Sequence, residues 1–295
     1  MGSRSRASDA APAASARLVT RPLISAATLS EAIAEGGVAI GDVRWYLGEP
    51  GRGRGAYESG HLPGAVFVDL DNDLSAHRGP GRHPLPGRRA FADTMGRLGF
   101  GDDHLVVAYD DMGGAIAARL WWMLRDIGHE RAAVLDGGLQ AWLGAGYALQ
   151  TEPPVVSPAV MTLGPSFTRS IDRIGLANRL GSVTLIDARA AERYRGEIEP
   201  VDPVAGHIPT AHNVPQSENL ADDMRFLPPR MLSARYQGAG VRGDIDTVVY
   251  CGSGVTACHD ILAMTVAGLS EPILYAGSWS DWSTEGMPVE TGAEE

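Results

Sequence analysis

The chain repeats itself once along its length, and this repeat constrains the fold more than any other feature of the sequence. Four short blocks of the first half recur in the same order in the second half, at offsets of 140–146 residues. The matched blocks are 40–44 with 185–189, 60–65 with 206–211, 106–110 with 248–251, and 136–142 with 276–282. A repeat of this length is a whole domain, so it predicts two tandem domains and excludes a solenoid.

Each half alternates short β-branched runs with amphipathic helical stretches. This alternation predicts the α/β class, with two similar domains that each contain a mainly parallel sheet flanked by helices. In the second half, strands are expected at 184–187, 246–250 and 272–275. The predicted boundaries are a disordered leader at 1–16, a first domain at 17–150, a proline-rich linker at 151–166 and a second domain at 167–295.

Composition narrows the class of function. A net charge of −11 argues against nucleic acid as a partner, because phosphate binding requires a basic surface. The chain lacks the ~18 consecutive apolar residues that a membrane span needs, and residues 1–16 lack the hydrophobic core of a secretory signal. Two cysteines seven positions apart do not indicate a disulfide framework. We therefore expect a protein of the reducing cytoplasm that does not bind membranes.

One segment of the second half carries a candidate nucleophile. Residues 248–257 read Val-Val-Tyr-Cys-Gly-Ser-Gly-Val-Thr-Ala, which predicts a strand, a tight loop and the start of a helix, with Cys251 at the end of the strand. Backbone N–H groups of such a loop and the helix dipole both favour the thiolate, the nucleophilic form of cysteine. The loop expected to surround an anionic sulfur consists of Gly252, Ser253, Gly254, Val255 and Thr256.

Taken together, these blocks resemble the tandem-domain rhodanese family of thiosulfate and 3-mercaptopyruvate sulfurtransferases, from about residue 18 to residue 289. The resemblance implies that Cys251 takes sulfur from a small anionic donor as a persulfide. The acceptor would be cyanide, a thiol or a thioredoxin-like protein. No cofactor and no metal are implied, since cysteine itself carries the sulfur. Asp110 occupies the matching position in the first half, which is therefore expected to be non-catalytic.

The resemblance also implies roles for residues outside the loop. Ser253 and Asp71 match the residues proposed to polarise 3-mercaptopyruvate or relay a proton, and His83 matches a histidine that contacts the substrate. Arg193 matches the arginine that binds the carboxylate or sulfonate of the donor.

The chain departs from the pattern at one position. A second substrate arginine usually follows a Pro-Glu-Pro run, but residues 197–202 read Glu-Ile-Glu-Pro-Val-Asp. Either Arg195 substitutes for it or carboxylate binding is weaker.

Three alternatives to a mercaptopyruvate enzyme remain open at this point. The chain could be a thiosulfate-preferring enzyme or a module that relays sulfur to a partner protein. The third alternative is a cysteine phosphatase, which would need an arginine six residues after the nucleophile, where this chain has Ala257. Cys258 is interpreted as a core residue, and Asp187 and Arg189 as a structural ion pair.

Overall fold

The computed structural model describes residues 21–293, and these form two consecutive domains, each built on a five-stranded parallel sheet flanked by helices. This confirms the predicted α/β class. The predicted leader at 1–16 lies outside the described residues. None of the helices in this part of the chain has the length and hydrophobicity that a bilayer crossing requires.

The first domain has its sheet in the order β1-β5-β4-β2-β3. Its strands are β1 (Leu23–Ile24), β2 (Val38–Asp42), β3 (Ala65–Phe67), β4 (Leu105–Tyr109) and β5 (Ala132–Leu135). Its helices are α1 (Ala26–Glu35), α2 (Arg52–Ser59), α3 (Arg88–Arg97), α4 (Ala117–Asp126) and α5 (Gly138–Gly144).

The second domain has the order β6-β10-β9-β7-β8, which is the order of the first sheet when the strands are matched along the chain. Its strands are β6 (Arg169–Ile171), β7 (Thr184–Asp187), β8 (Ala211–Asn213), β9 (Thr247–Tyr250) and β10 (Ile273–Tyr275). Its helices are α6 (Arg173–Ala177), α7 (Ala191–Tyr194), α8 (Pro229–Gly238), α9 (Ala257–Val266) and α10 (Ser278–Trp282), with a short 3₁₀ helix at Gln216–Asn219.

The central strands β4 and β9 position the two chemically important loops. Every residue of both strands is buried, as expected for strands of a parallel sheet covered on both faces. Asp110 directly follows β4 and Cys251 directly follows β9, so each begins a loop at the carboxyl edge of its sheet. Ligands of open parallel sheets bind at this edge.

The duplication extends to matched buried ion pairs. Arg189 donates from Nε and Nη2 to both carboxylate oxygens of Asp187, and its Nη2 also donates to the carbonyl of Gly206 at 2.6 Å. Arg44 binds Asp42 through the same two nitrogens in the first domain. The predicted pair of Asp187 and Arg189 is thus confirmed. Removal of one partner from such a buried pair typically costs about 3–5 kcal/mol, because the other charge is left uncompensated.

Helices α4 and α9 pack against each other and join the two domains. Trp121 and Trp122 of α4 and Ile261 and Leu262 of α9 belong to one buried apolar cluster that contains residues of both halves. Because this cluster is continuous, the first domain is held against the loop that carries Cys251.

The segment predicted as a linker forms neither helix nor strand between residues 151 and 166. It lies along the first domain, where Ala159 N–H donates to the carbonyl of Gly96 at 2.9 Å and Gly164 N–H donates to the carbonyl of Ile127 at 2.7 Å. The connection between the sheets is therefore attached to the first domain by its backbone.

Candidate active site

The sulfur of Cys251 is surrounded by its own loop. The residue is 1% exposed, and the N–H of Gly254 donates to its Sγ at 3.1 Å. Helix α9 begins at Ala257, so its N-terminal end faces the loop. A backbone donor and the positive end of a helix dipole both stabilise negative charge on the sulfur.

Gly254 is required by the shape of this loop. Its φ of +78° lies in the left-handed region, and a Cβ atom at this position would be 2.3 Å from the carbonyl oxygen of Ala276. A side chain here would therefore collide with backbone, and the N–H that meets the sulfur would be displaced.

The first turn of α10 forms hydrogen bonds with the backbone of Cys251 and Gly252 at the start of the loop. Trp279 N–H donates to the carbonyl of Cys251 at 2.9 Å, and Ser280 N–H donates to the carbonyl of Gly252 at 2.9 Å. The N–H of Cys251 donates to Ser278 Oγ at 3.1 Å. The Gly-Ser-Trp segment at 277–279, which belongs to the internal repeat, thus helps to fix the backbone of the loop that carries Cys251. Its spacing along the chain did not reveal this role.

The corresponding loop of the first domain surrounds a carboxylate. Asp110 accepts hydrogen bonds from the N–H groups of Met112 and Gly114 on Oδ1, and from those of Ile116 and Ala117 on Oδ2, at 2.7–2.9 Å. Burial raises the pKa of this carboxyl group, and the four N–H donors oppose the rise because they bind its ionised form. The loop type that follows the central strand therefore binds anions, and in the first domain a side chain provides the anion.

Ser253 and His83 meet across the domain boundary. Ser253 Oγ lies 2.8 Å from His83 Nδ1, and His83 Nε2 lies 3.4 Å from Asp71 Oδ1. The indole N–H of Trp45 donates to Asp71 Oδ2 at 2.9 Å, and its ring packs edge-on against the imidazole. The structure thus aligns the three predicted residues, which the chain separates by up to 182 positions (253 − 71).

His83 is neutral at physiological pH in this setting. Burial lowers its pKa to about 4; Arg119 and Arg82 add to the decrease, and Asp71 opposes it. A neutral imidazole keeps one nitrogen free to accept a proton.

Arg193 lies beside the loop, as predicted, but it does not lie there alone. A Cβ on Gly252 would be 3.5 Å from Arg193 Nη1 and 2.9 Å from Nη2 of Arg82, an arginine of the first domain. Both guanidinium groups bind the carboxylate of Asp202, and Arg193 also binds Glu199. Arg82 was not predicted as a site residue, although it directly precedes His83 in the chain.

Arg195 lies apart from this cluster. Its Nε and Nη2 donate to the carboxylate of Glu197 at 2.7 and 2.8 Å, and the two side chains are 35% and 56% exposed. Arg195 is not among the residues that line the cleft in front of Cys251. This geometry does not support the expectation that Arg195 supplies the second substrate arginine.

Arg119 connects the two loops that meet at the site. This α4 residue is fully buried, and its guanidinium donates to the carbonyl of Gly254 at 3.1 Å and to that of His83 at 2.9 Å. A single side chain of the first domain thus sets the distance between the nucleophile loop and the histidine. A sequence pattern does not distinguish such an arginine from one on the helix surface.

Together these residues border a cleft of about 560 Å³ between the domains. Its polar lining includes Cys251, Ser253, His83, Arg82 and Arg193. Its apolar lining includes Leu47, Met112, Leu220 and Met224. Among residues 21–293, no group of three or more His, Cys, Asp or Glu side chains is arranged to hold a metal ion.

The second cysteine has the surroundings of a core residue. Cys258 is fully buried on α9, and its thiol donates to the carbonyl of Gly254 at 3.4 Å. Burial raises the pKa of Cys258 to about 12. Cys258 is therefore a protonated thiol that packs beneath the loop.

Comparison with known proteins identifies the family of this chain. The rhodanese-like domain family matches residues 25–145 and again residues 175–285. The chain belongs to the rhodanese family. It is 45% identical over 279 residues to a probable 3-mercaptopyruvate sulfurtransferase of Pseudomonas aeruginosa, covering 92% of this chain and 98% of that protein. It is 34% identical over 283 residues to the thiosulfate sulfurtransferase of Rattus norvegicus, covering 92% and 95%.

A solved rhodanese structure extends the comparison to the fold. The crystal structure of a 3-mercaptopyruvate sulfotransferase of Escherichia coli superimposes with a TM-score of 0.78 at 33% identity, covering 88% of this chain and 100% of the other. The predicted family is thus confirmed, and the chain is a sulfurtransferase of that family. Its relatives include enzymes named for either donor.

The anion-binding loop of the first domain leads to a stability prediction. Replacement Asp110→Ala leaves four buried N–H donors without their acceptor, so we expect a loss of about 2–4 kcal/mol in the free energy of unfolding. Urea denaturation measures this loss. Asp93→Ala, which removes an exposed carboxylate from α3, should change stability by less than about 0.5 kcal/mol. Equal stability of the two variants would show that the loop does not depend on its anion.

Proposed function

We propose that this chain takes the sulfur atom of 3-mercaptopyruvate onto Cys251 as a persulfide and transfers it to a thiophilic acceptor. The observation that carries the proposal is that Cys251, Ser253 and His83 line a single cleft, with Ser253 hydrogen-bonded to His83 and Asp71 on the other side of the imidazole. The first domain completes the site and does not react, because Asp110 cannot accept a sulfur atom.

The loading step follows from the loop geometry. The Cys251 thiolate attacks the donor sulfur, an S–S bond forms, and the C–S bond breaks with its electron pair going to carbon. The proton of the donor thiol is finally transferred to that carbon, so the products are pyruvate and a persulfide anion with no net proton uptake. The outer sulfur of this persulfide is as many bonds from its Cα as the Asp110 oxygens are from theirs. The first-domain loop therefore illustrates how N–H groups surround an anion at that distance.

Ser253 and His83 are suited to moving that proton. If the imidazole proton is on Nε2, towards Asp71, Nδ1 accepts the proton of Ser253 Oγ while Ser253 takes the proton of the donor thiol. The same path in reverse protonates the pyruvate enolate. Because His83 is neutral, this relay is available at physiological pH.

Thiosulfate is the second candidate donor, and a specific observation favours it. The loop itself presents no cation, since its first two residues after the nucleophile are Gly252 and Ser253. However, Arg82 and Arg193 place two guanidinium groups against Gly252, where a dianion would be stabilised. The relay formed by Ser253 and His83 favours 3-mercaptopyruvate, since sulfite leaves thiosulfate without needing a proton.

The cleft extends beyond the volume that a three-carbon donor requires. Its apolar lining, with Met112, Leu220 and Met224, gives room for an acceptor next to the persulfide. We propose cyanide, a small thiol or a thioredoxin-like protein as the acceptor and a reducing cytoplasmic setting, in line with two free cysteines. Transfer rates to these three acceptors would distinguish free turnover from relay to a protein.

Cysteine phosphatase activity has little support in this geometry. The position six residues after the nucleophile is Ala257, the first residue of α9, and it provides no guanidinium for a phosphoryl group. Appreciable turnover of an aryl phosphate would reverse this judgement.

The persulfide is directly testable. Incubation with 3-mercaptopyruvate should add one sulfur atom to Cys251, observed by mass spectrometry of the intact protein and of its peptides. Cys251→Ser should abolish the addition, whereas Cys258→Ser should retain it, because Cys258 is a buried thiol with a pKa raised to about 12. If neither 3-mercaptopyruvate nor thiosulfate modifies Cys251, the proposed function is wrong.

Ser253→Ala should separate the two donors. We expect kcat with 3-mercaptopyruvate to fall about 100-fold, because a positioned proton-transfer group is lost. Activity with thiosulfate should fall several-fold at most. Ser217→Ala is the matched control, since its hydroxyl lies exposed at the edge of the same cleft. Equal losses with both donors would remove the case for Ser253 as a proton relay.

The pKa of His83 leads to a pH prediction. His83 must be neutral to accept a proton, so the relay is complete above its lowered pKa of about 4 and is lost as the pH falls through that value. Plots of kcat/KM for 3-mercaptopyruvate should therefore show no step near 6.5, the ordinary histidine value, between about pH 5.5 and 7.5. A step near 6.5 that disappears in Ser253→Ala would contradict a neutral His83.

A further inference from the structure

Two guanidinium groups that line the cleft share one buried carboxylate. Asp202 is bound by Arg82 of the first domain on Oδ1 and by Arg193 of the second domain on Oδ2. The side chain of Asp202 is only 4% exposed, whereas those of Arg82 and Arg193 are 28% and 17% exposed. Asp202 therefore holds both guanidinium groups in place beside Gly252, the residue next to the nucleophile.

Arg82 and Arg193 differ in which of their guanidinium nitrogens are bound to other residues of the protein. Arg193 uses its Nε and Nη2 for Glu199, at 3.3 and 2.7 Å, so its two-nitrogen edge is already filled. Arg82 uses Nη1 for Asp202. Within residues 21–293, Nη2 of Arg82 makes no hydrogen bond where it lies against Gly252, whereas its Nε is buried and inaccessible to a ligand in the cleft.

Nη2 of Arg82 and Nη1 of Arg193 are the two guanidinium nitrogens that this arrangement leaves for a ligand. They lie 2.9 and 3.5 Å from the position that a Cβ atom on Gly252 would take. A planar carboxylate placed beside them can accept one charge-assisted hydrogen bond from each arginine.

The other candidate cations do not compete for this role. Arg195 is paired with Glu197 outside the cleft, and residue 201 is a valine. Arg193 keeps only Nη1 for a ligand. Arg189 also borders the described cleft, but its nitrogens bind Asp187, Gly206 and Glu199, so Arg82 and Arg193 are the arginines there that each keep one nitrogen for a ligand.

We propose that Arg82 binds the carboxylate of the 2-oxo acid donor through its Nη2, with Nη1 of Arg193 as the second contact. This proposal rests on the proposed function and names the residue that selects a carboxylate-bearing donor. Since Arg82 and His83 are neighbours in the chain, the same first-domain segment both binds the donor and carries the histidine of the relay. The donor is therefore held between the two domains.

The test compares two donors that differ only in charge. The probes are 3-mercaptopyruvate and its neutral carboxamide, measured with the wild-type protein and with Arg82→Met, which keeps much of the apolar stem. We expect the wild-type protein to prefer the acid in kcat/KM and Arg82→Met to raise KM for the acid about 10–100-fold. For the carboxamide, KM should stay within a few-fold of the wild-type value.

Two further variants complete the design. Arg82→Lys should recover only part of the preference for the acid, because a lysine has one nitrogen where the arginine uses Nη1 for Asp202 and Nη2 for the donor. Arg78→Ala removes an exposed positive charge from the same segment and should leave both KM values unchanged. A merely structural role for Arg82 would weaken the acid and the carboxamide equally, and that result would overturn the proposal.

The outcomes also separate this proposal from the proposed function. Mass spectrometry of wild-type Cys251 after exposure to 3-mercaptopyruvate reports sulfur loading independently of Arg82. Loading with equal KM values in Arg82→Met, Arg78→Ala and the wild-type protein would leave the function intact and refute the role of Arg82. Absence of loading from any donor would refute the function itself, and the carboxylate role with it.

Discussion

The stabilisation of an anion by backbone N–H groups at the carboxyl end of the central strand is the interaction on which this protein depends. In the first domain four such groups bind the carboxylate of Asp110, and in the second the N–H of Gly254 meets the sulfur of Cys251. The loops occupy equivalent places in two sheets of identical strand order. The first loop binds a carboxylate of its own domain, whereas under the proposed function the second loop would hold the anion that forms on Cys251.

The duplicated architecture also explains why a non-reacting domain is retained. The nucleophile lies in the second domain, but His83, Asp71 and Arg82 come from the first. Packing of α4 against α9 fixes one domain on the other, and the buried Arg119 joins the two loops through their carbonyls. A single domain would carry Cys251 and Ser253 without His83, Asp71 and Arg82, to which the proposed function assigns proton transfer and donor binding.

Much of this site was predictable because its signals are local. The order of a β-branched strand, a cysteine, two glycines and a helix start predicts where the sulfur lies and that its thiolate form is favoured. The repeat identifies Asp110 as the counterpart of Cys251. The roles of Ser253, His83 and Asp71 required resemblance to a family, since they are far apart in the chain. Arg195 illustrates the limit of this reasoning. It is close in sequence to the missing arginine, but its pairing with Glu197 directs it away from the cleft.

The sequence by itself determined the class of fold and the duplication, and it located Cys251 and Asp110 in matching loops, because strand periodicity and loop chemistry depend on neighbouring residues. The tertiary structure alone decided which charges lie beside the Cys251 loop. Arg82 and Arg193 are separated by 111 positions (193 − 82), and only Asp202 brings their guanidinium groups together. The partners of each arginine determine which of its nitrogens remains available to a ligand. These partners are brought together by packing between the domains, which no local sequence pattern encodes.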